Sequence, residues 1–297
     1  MSNALFRALG LTAETSASAS APATQEAVKI GLTPLTGVLA AMGLCVLVVY
    51  TVTRCIRPGK LRLEGAPGRH NHVTLAHVVV LYVLLVLIQA AAAYTLGPTL
   101  GEKSVELGVA CVTIGQVVWL PACLWVAWKC FPPGLARGLG LSGRHWLFDG
   151  LRAGVAYLAV LPVCLGLWWL FAMLGEMVGR PPQPNEMLEL LKRAPFGWRI
   201  LTVFSAGVMA PLAEEVFFRG LFQSALRRYS ASPWPAVIGA SVFFAASHVA
   251  NPHTIPAMLA LGLVLGYNYE RTGRLVTPIL IHFLFNAVSL ADTMLYA

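Results

Sequence analysis

Eight apolar runs dominate this sequence. They cover residues 30–53, 75–95, 105–131, 148–175, 199–229, 234–250, 256–269 and 276–296. A helix needs about 20 apolar residues to cross the hydrocarbon core of a bilayer. Most of the runs reach that length, the seventh being short. Only 11% of residues are Asp, Glu, Lys or Arg, where a soluble domain carries about 25%. The chain is therefore predicted to be all-α: a polytopic membrane protein with about eight transmembrane helices. Its expected place is a cell membrane, as a multi-pass protein of a bacterial inner membrane.

The polar stretches divide the chain. Residues 1–29, rich in Ala, Ser and Thr, read as a disordered tail. They make a poor signal peptide, because Arg7 interrupts a short apolar segment. Residues 30–175 hold the first four helices, 176–198 a polar loop, and 199–297 the last four. Within the loop, Met187-Leu-Glu-Leu-Leu reads as a short interfacial helix. The net charge of +8 fits basic loops facing anionic lipid and the cytoplasm, with no nucleic-acid partner. Lys and Arg counted loop by loop divide twelve against seven, favouring odd-numbered loops in the cytoplasm. The six cysteines form no Cys-x-x-Cys pair, so neither a disulfide framework nor a thiolate metal site is read. Gly150-x-x-x-Gly154 and Gly262-x-x-x-Gly266 predict close helix approach. His77, Gln89 and Gln116 read as interhelical hydrogen bonders. Trp119, Trp125, Trp128, Trp168 and Trp169 read as interface or lipid-facing anchors. His70 and His72 read as a solvated face of a basic loop, and His253 as a loop residue.

One run breaks its own rule. Ala210-Pro-Leu-Ala-Glu-Glu-Val-Phe-Phe-Arg-Gly220 places Glu214, Glu215 and Arg219 among apolar residues. A charge at the bilayer centre costs about 2.5–3.5 kcal/mol on insertion scales. Glu215 and Arg219 are four apart and share a helix face, so they can pair. Glu214 points about 100° away from Glu215 and stays free. A buried ion-pair network that only fixes packing is the competing reading of these charges. Two further costly groups follow: His248, and His282 with Asn286 one turn on. Runs five and six form a hairpin in which Glu214 and His248 lie at equal depth, roughly 21–23 Å from the turn. His282 fits less well, at roughly 9 Å from the same side, unless the hairpin projects beyond the start of the last helix.

A carboxylate, two imidazoles and an amide suffice to activate a water. In this reading Glu214 is the general base and His248 holds the water. His282 and Asn286 donate hydrogen bonds to the oxyanion of an attacked carbonyl. Glu214, His248 and His282 are also a possible zinc set, though no His-Glu-x-x-His is present. A proton-coupled transporter is another alternative, against which no internal repeat is found.

Glu214-Glu215-x-x-x-Arg219, Phe244-x-x-x-His248 and His282-x-x-x-Asn286, in this order, resemble the three motifs of the CPBP family. That family comprises CAAX-processing and bacteriocin-processing membrane enzymes, including the Rce1-type CAAX proteases. The resemblance spans about residues 199–290 and implies an intramembrane endopeptidase. It assigns Glu214 as the catalytic glutamate, His248 as its water-binding partner, and His282 and Asn286 as the oxyanion pair. Glu215 and Arg219 fill the remaining first-motif positions, as a supporting ion pair. The implied partners are the lipid bilayer and a membrane-associated protein or peptide substrate, in some members a CAAX tail. No cofactor is required by this reading, zinc being the alternative. A non-catalytic scaffold or bacteriocin-immunity protein on the same fold is the other outcome the resemblance allows.

Overall fold

The computed structural model describes residues 32–56, 63, 70–101, 104–142, 145–182, 191, 194–248 and 252–296. The expected tail, most of the basic 54–69 loop and most of the expected interfacial helix lie outside the described residues. All regular structure among the described residues is helical. In chain order the long helices are α1 (Pro34–Ile56), α2 (Leu75–Leu100), α3 (Val105–Cys130), α4 (Trp146–Met177), α5 (Phe196–Arg227), α6 (Pro233–Ala246), α7 (Ile255–Thr272) and α8 (Val276–Tyr296). Six are long and apolar enough to cross a bilayer: α1 to α5 and α8. The chain is a multi-pass, all-α membrane protein. The expected count of about eight spans becomes six plus two shorter helices. α6 has 14 residues, and the 18 residues of α7 end in Glu270-Arg271-Thr272.

Local chemistry sets the helix ends. Thr74 caps α2 in a reciprocal box with His77, Ser104 caps α3 and Ser232 caps α6. Gly273 closes α7 in the left-handed region, at φ 63°. His77 thus serves its own helix start through Nδ1 and also reaches α3, its Nε2 lying 3.9 Å from Cys130 Sγ. Gln116 bridges as well, accepting from Ser205 Oγ of α5 at 2.9 Å. Trp119 departs from the lipid-anchor expectation. It is 1% exposed, and its Nε1 donates to Leu81 O at 2.8 Å. A buried indole N–H needs an acceptor, and Leu81 O supplies it. Trp125, Trp128 and Trp169 are exposed, as lipid-facing anchors are.

Of the two small-residue pairs, one makes a close approach. A Cβ on Gly262 would lie 3.1 Å from Ser241, and one on Gly266 2.8 Å from Gln223. Gly150 and Gly154 have nothing within 4 Å. The tightest approach is at Gly43, where a Cβ would lie 2.1 Å from Leu158 O. Spacing alone missed it, because a single glycine seats α1 on α4.

The helix α5 forms the centre, touching α2, α3, α6, α7 and α8. Its outer end is fastened. Arg228 donates to Val73 O at 2.8 Å and Asn71 to Ser224 O at 3.4 Å. The start of α8 is fixed separately: Leu275 N donates to Leu139 O, and Arg274 pairs with buried Asp149 at 2.6 Å. A Cβ on Gly220 would meet Leu139 at 3.0 Å and Leu275 at 3.8 Å. Leu275 is thus level with Gly220, and the α5–α6 hairpin runs on past the start of α8 to its turn beyond Tyr229. At 1.5 Å per residue that projection is roughly 13 Å. This offset brings His282 to the depth of Glu215.

Candidate active site

The site is built where α5, α6 and α8 meet. The middle of α5 is unevenly wound. An α-helical segment, Ala210–Glu215, lies between two π-helical stretches, Ser205–Met209 and Val216–Gln223. Wide turns of this kind occur often at functional sites. They rotate the side chains before and after the segment relative to an even α-helix.

Glu215 and Arg219 are fully buried. Arg219 Nη1 donates to Glu215 Oε1 at 2.6 Å. Arg219 Nη2 donates to Gly262 O at 3.4 Å, and the guanidinium lies 4.5 Å from the centre of the Phe244 ring. A buried charge needs this degree of compensation, and the ring face contributes some of it. His282, 4% exposed, places Nδ1 2.9 Å from the same Glu215 Oε1. A carboxylate only accepts, so Nδ1 carries a proton and Nε2 is left outside this bond. The sequence reading had placed His282 with Glu214. The hydrogen bond instead goes to Glu215, because the depth offset and the winding of α5 turn that carboxylate toward α8.

Glu214 is half-buried, and its Oε2 has no hydrogen-bond partner among the described residues. His282, Glu215 and Arg219 all act on it electrostatically. His248 follows the end of α6. Its Nδ1 lies 2.8 Å from Phe244 O, a carbonyl that can only accept. The proton is therefore on Nδ1, and in the neutral ring Nε2 is an acceptor. Asn286 Nδ2 donates to Ala206 O at 2.8 Å, with one N–H left over.

Phe244 joins the parts. Its ring centre lies 4.8 Å from that of His248 and 5.7 Å from that of His282, and the Arg219 guanidinium sits over it. In the sequence Phe244 stands only as the first position of the second motif. Its spacing from His248 was visible, but its contact with three site residues needed the tertiary arrangement. The backbone carbonyls of Ala206, Phe244 and Gly262 were likewise unreadable, since any residue type supplies one.

Among the described residues, no group of three or more His, Cys, Asp and Glu side chains could hold a metal ion. Glu214, His248 and His282 are not arranged as a zinc set. His253 is set apart, its ring 6.2 Å from that of Trp168. His70 and His72 lie edge to face, 5.2 Å apart, both exposed. Cys45, Cys111, Cys123, Cys130 and Cys164 are free thiols.

Residues 196–288 match a family model described as type II CAAX prenyl endopeptidase, Rce1-like. The match runs from the start of α5 into α8 and covers every candidate site residue. At family level it supports a CAAX-type intramembrane protease. The chain is also 29% identical over 173 residues to the "Uncharacterized 24.3 kDa protein" of Escherichia coli. That alignment covers 57% of this chain and 73% of the other. No solved structure matches the chain.

Proposed function

We propose that this chain, whose residues 196–288 match the Rce1-like CAAX endopeptidase family, hydrolyses a peptide bond at the membrane with a water activated by Glu214. One observation carries the reading. Both adjacent carboxylates leave a buried Oε2 unpartnered, but Glu215 is committed through Oε1 to Arg219 and His282, while no hydrogen bond to a described residue holds Glu214. An unpartnered buried carboxylate oxygen is costly, and a catalytic base is a reason to keep one.

In this scheme His248 Nε2 accepts a hydrogen bond from the water and aligns it. Glu214 takes a proton as the water oxygen adds to the scissile carbonyl. The new oxyanion is met by the second N–H of Asn286 and by His282. Carrying a proton on each nitrogen, His282 donates Nδ1–H to Glu215 and Nε2–H to the oxyanion. Collapse breaks the C–N bond, and Glu214 returns its proton to the leaving amine. Glu215 and Arg219 orient His282 and balance charge. The scheme uses only the chain's own side chains. Its substrate is a membrane-associated protein or peptide processed at a CAAX-type C-terminus.

Purified protein in liposomes, given a dye-labelled farnesylated CAAX peptide and its unprenylated form, tests this. Release of the C-terminal tripeptide from the farnesylated form is the expected result, at a rate that does not follow metal content. Intact, folded protein that cleaves neither peptide would contradict the CAAX-type substrate.

A further inference from the structure

Pro211 lies inside α5, where a proline removes a backbone donor. Its position relative to the first π-helical stretch gives that loss a use. Ala210 N–H donates to Ser205 O, five residues back. The carbonyl of Ala206 thereby loses Ala210, its partner in even α-winding. Its partner in π-winding would be residue 211, and proline has no N–H. Neither winding can satisfy the Ala206 carbonyl. The group that does so is the side chain of Asn286, from α8, at 2.8 Å.

The same turn is held from two other sides. Ser205 Oγ donates to Gln116 Oε1 of α3 at 2.9 Å, both residues being buried. Gly207 lets α8 close in, since a Cβ there would lie 3.2 Å from Leu290. The Ala206 carbonyl is therefore fixed in place as well as vacant of a backbone donor. We infer that Pro211 is a positioning residue for Asn286: by leaving the Ala206 carbonyl open, it binds one amide N–H and aims the other at the oxyanion. The inference rests on the reading of Asn286 as an oxyanion donor.

Pro211→Ala supplies the missing N–H. The backbone can then satisfy Ala206, and Asn286 is released. The test follows peptide termini that appear in membranes bearing the wild-type chain and not Glu214→Ala. Their rate of appearance is compared in Pro211→Ala, Asn286→Ala and the double variant. Thermal unfolding is measured on the same purified proteins. Pro211→Ala should slow the rate at least about tenfold, part of the ~10²–10³ that one oxyanion donor is worth. Its unfolding temperature should hold or rise, because an interior proline is replaced by a good helix former. The double variant should be no slower than Asn286→Ala alone, since both changes remove one interaction. A purely structural role for Pro211 would lower rate and stability together, and its effect would multiply with that of Asn286→Ala. Either result, or a fully active Pro211→Ala beside an impaired Asn286→Ala, overturns the inference. A fully active Asn286→Ala overturns the reading of the site itself, and this inference with it.

Discussion

Arg219→Leu is expected to destabilise the folded protein by about 3–5 kcal/mol, the range for breaking a buried ion pair on one side. Arg219 is fully buried. Its guanidinium is the cation bonded to Glu215 Oε1, donates to Gly262 O, and covers the Phe244 ring. Leucine leaves the Glu215 charge with only His282 against it. It also removes the one side-chain bond recorded from α5 to the Gly262 carbonyl. Part of the loss is the cost of an uncompensated charge, so removing the charge should return some of it. Glu215→Leu combined with Arg219→Leu should therefore lose less stability than Arg219→Leu alone. Denaturant unfolding of the three purified proteins in detergent gives the comparison. A double variant less stable than the single one would show that packing, and not charge, is what Arg219 supplies.

His248→Ala is expected to have the opposite profile. The imidazole's hydrogen bonding is local, Nδ1–H donating to Phe244 O at 2.8 Å with Ser247 Oγ at 3.3 Å from the same nitrogen, at the end of α6. Losing it should cost about 1 kcal/mol or less, and the protein should insert and fold. Cleavage should fall by ~10²–10⁴, the usual worth of a positioned proton-transfer partner. The rate of substrate cleavage set against the unfolding midpoint decides it. A large fall in both would make His248 a packing residue of the Phe244 cluster.

Much of the architecture could be read from the chain because lipid leaves so few choices. An apolar run in lipid is driven to become a helix, and all eight runs did, six of them long and apolar enough to cross a bilayer. The helical spacing of Glu215 and Arg219 pointed to a pair now seen at 2.6 Å. The short connection between the runs, 230–233, pointed to the α5–α6 hairpin. The depth of His282 could not be read. It depends on where α8 begins against its neighbours, set by the Leu275–Leu139 and Arg274–Asp149 contacts. Those partners are 125 or more residues apart in the chain. The choice of carboxylate was hidden for a related reason. An even helix gives the angle between Glu214 and Glu215, but not which of them turns to α8. The π-helical stretches beside them have no signature in residue type, except at Pro211, where the missing N–H marks a break in the ladder. Gly43 shows the same limit from the other side: its approach to Leu158 O has no second glycine to announce it.

The account stands on Glu214 being the base. Membranes carrying the wild-type chain and membranes carrying equal amounts of inserted Glu214→Ala protein should be compared by mapping new peptide termini. The account predicts a set of termini present with the wild type and absent with Glu214→Ala, while the variant keeps the wild-type unfolding midpoint. The same termini arising at a comparable rate from Glu214→Ala would contradict it.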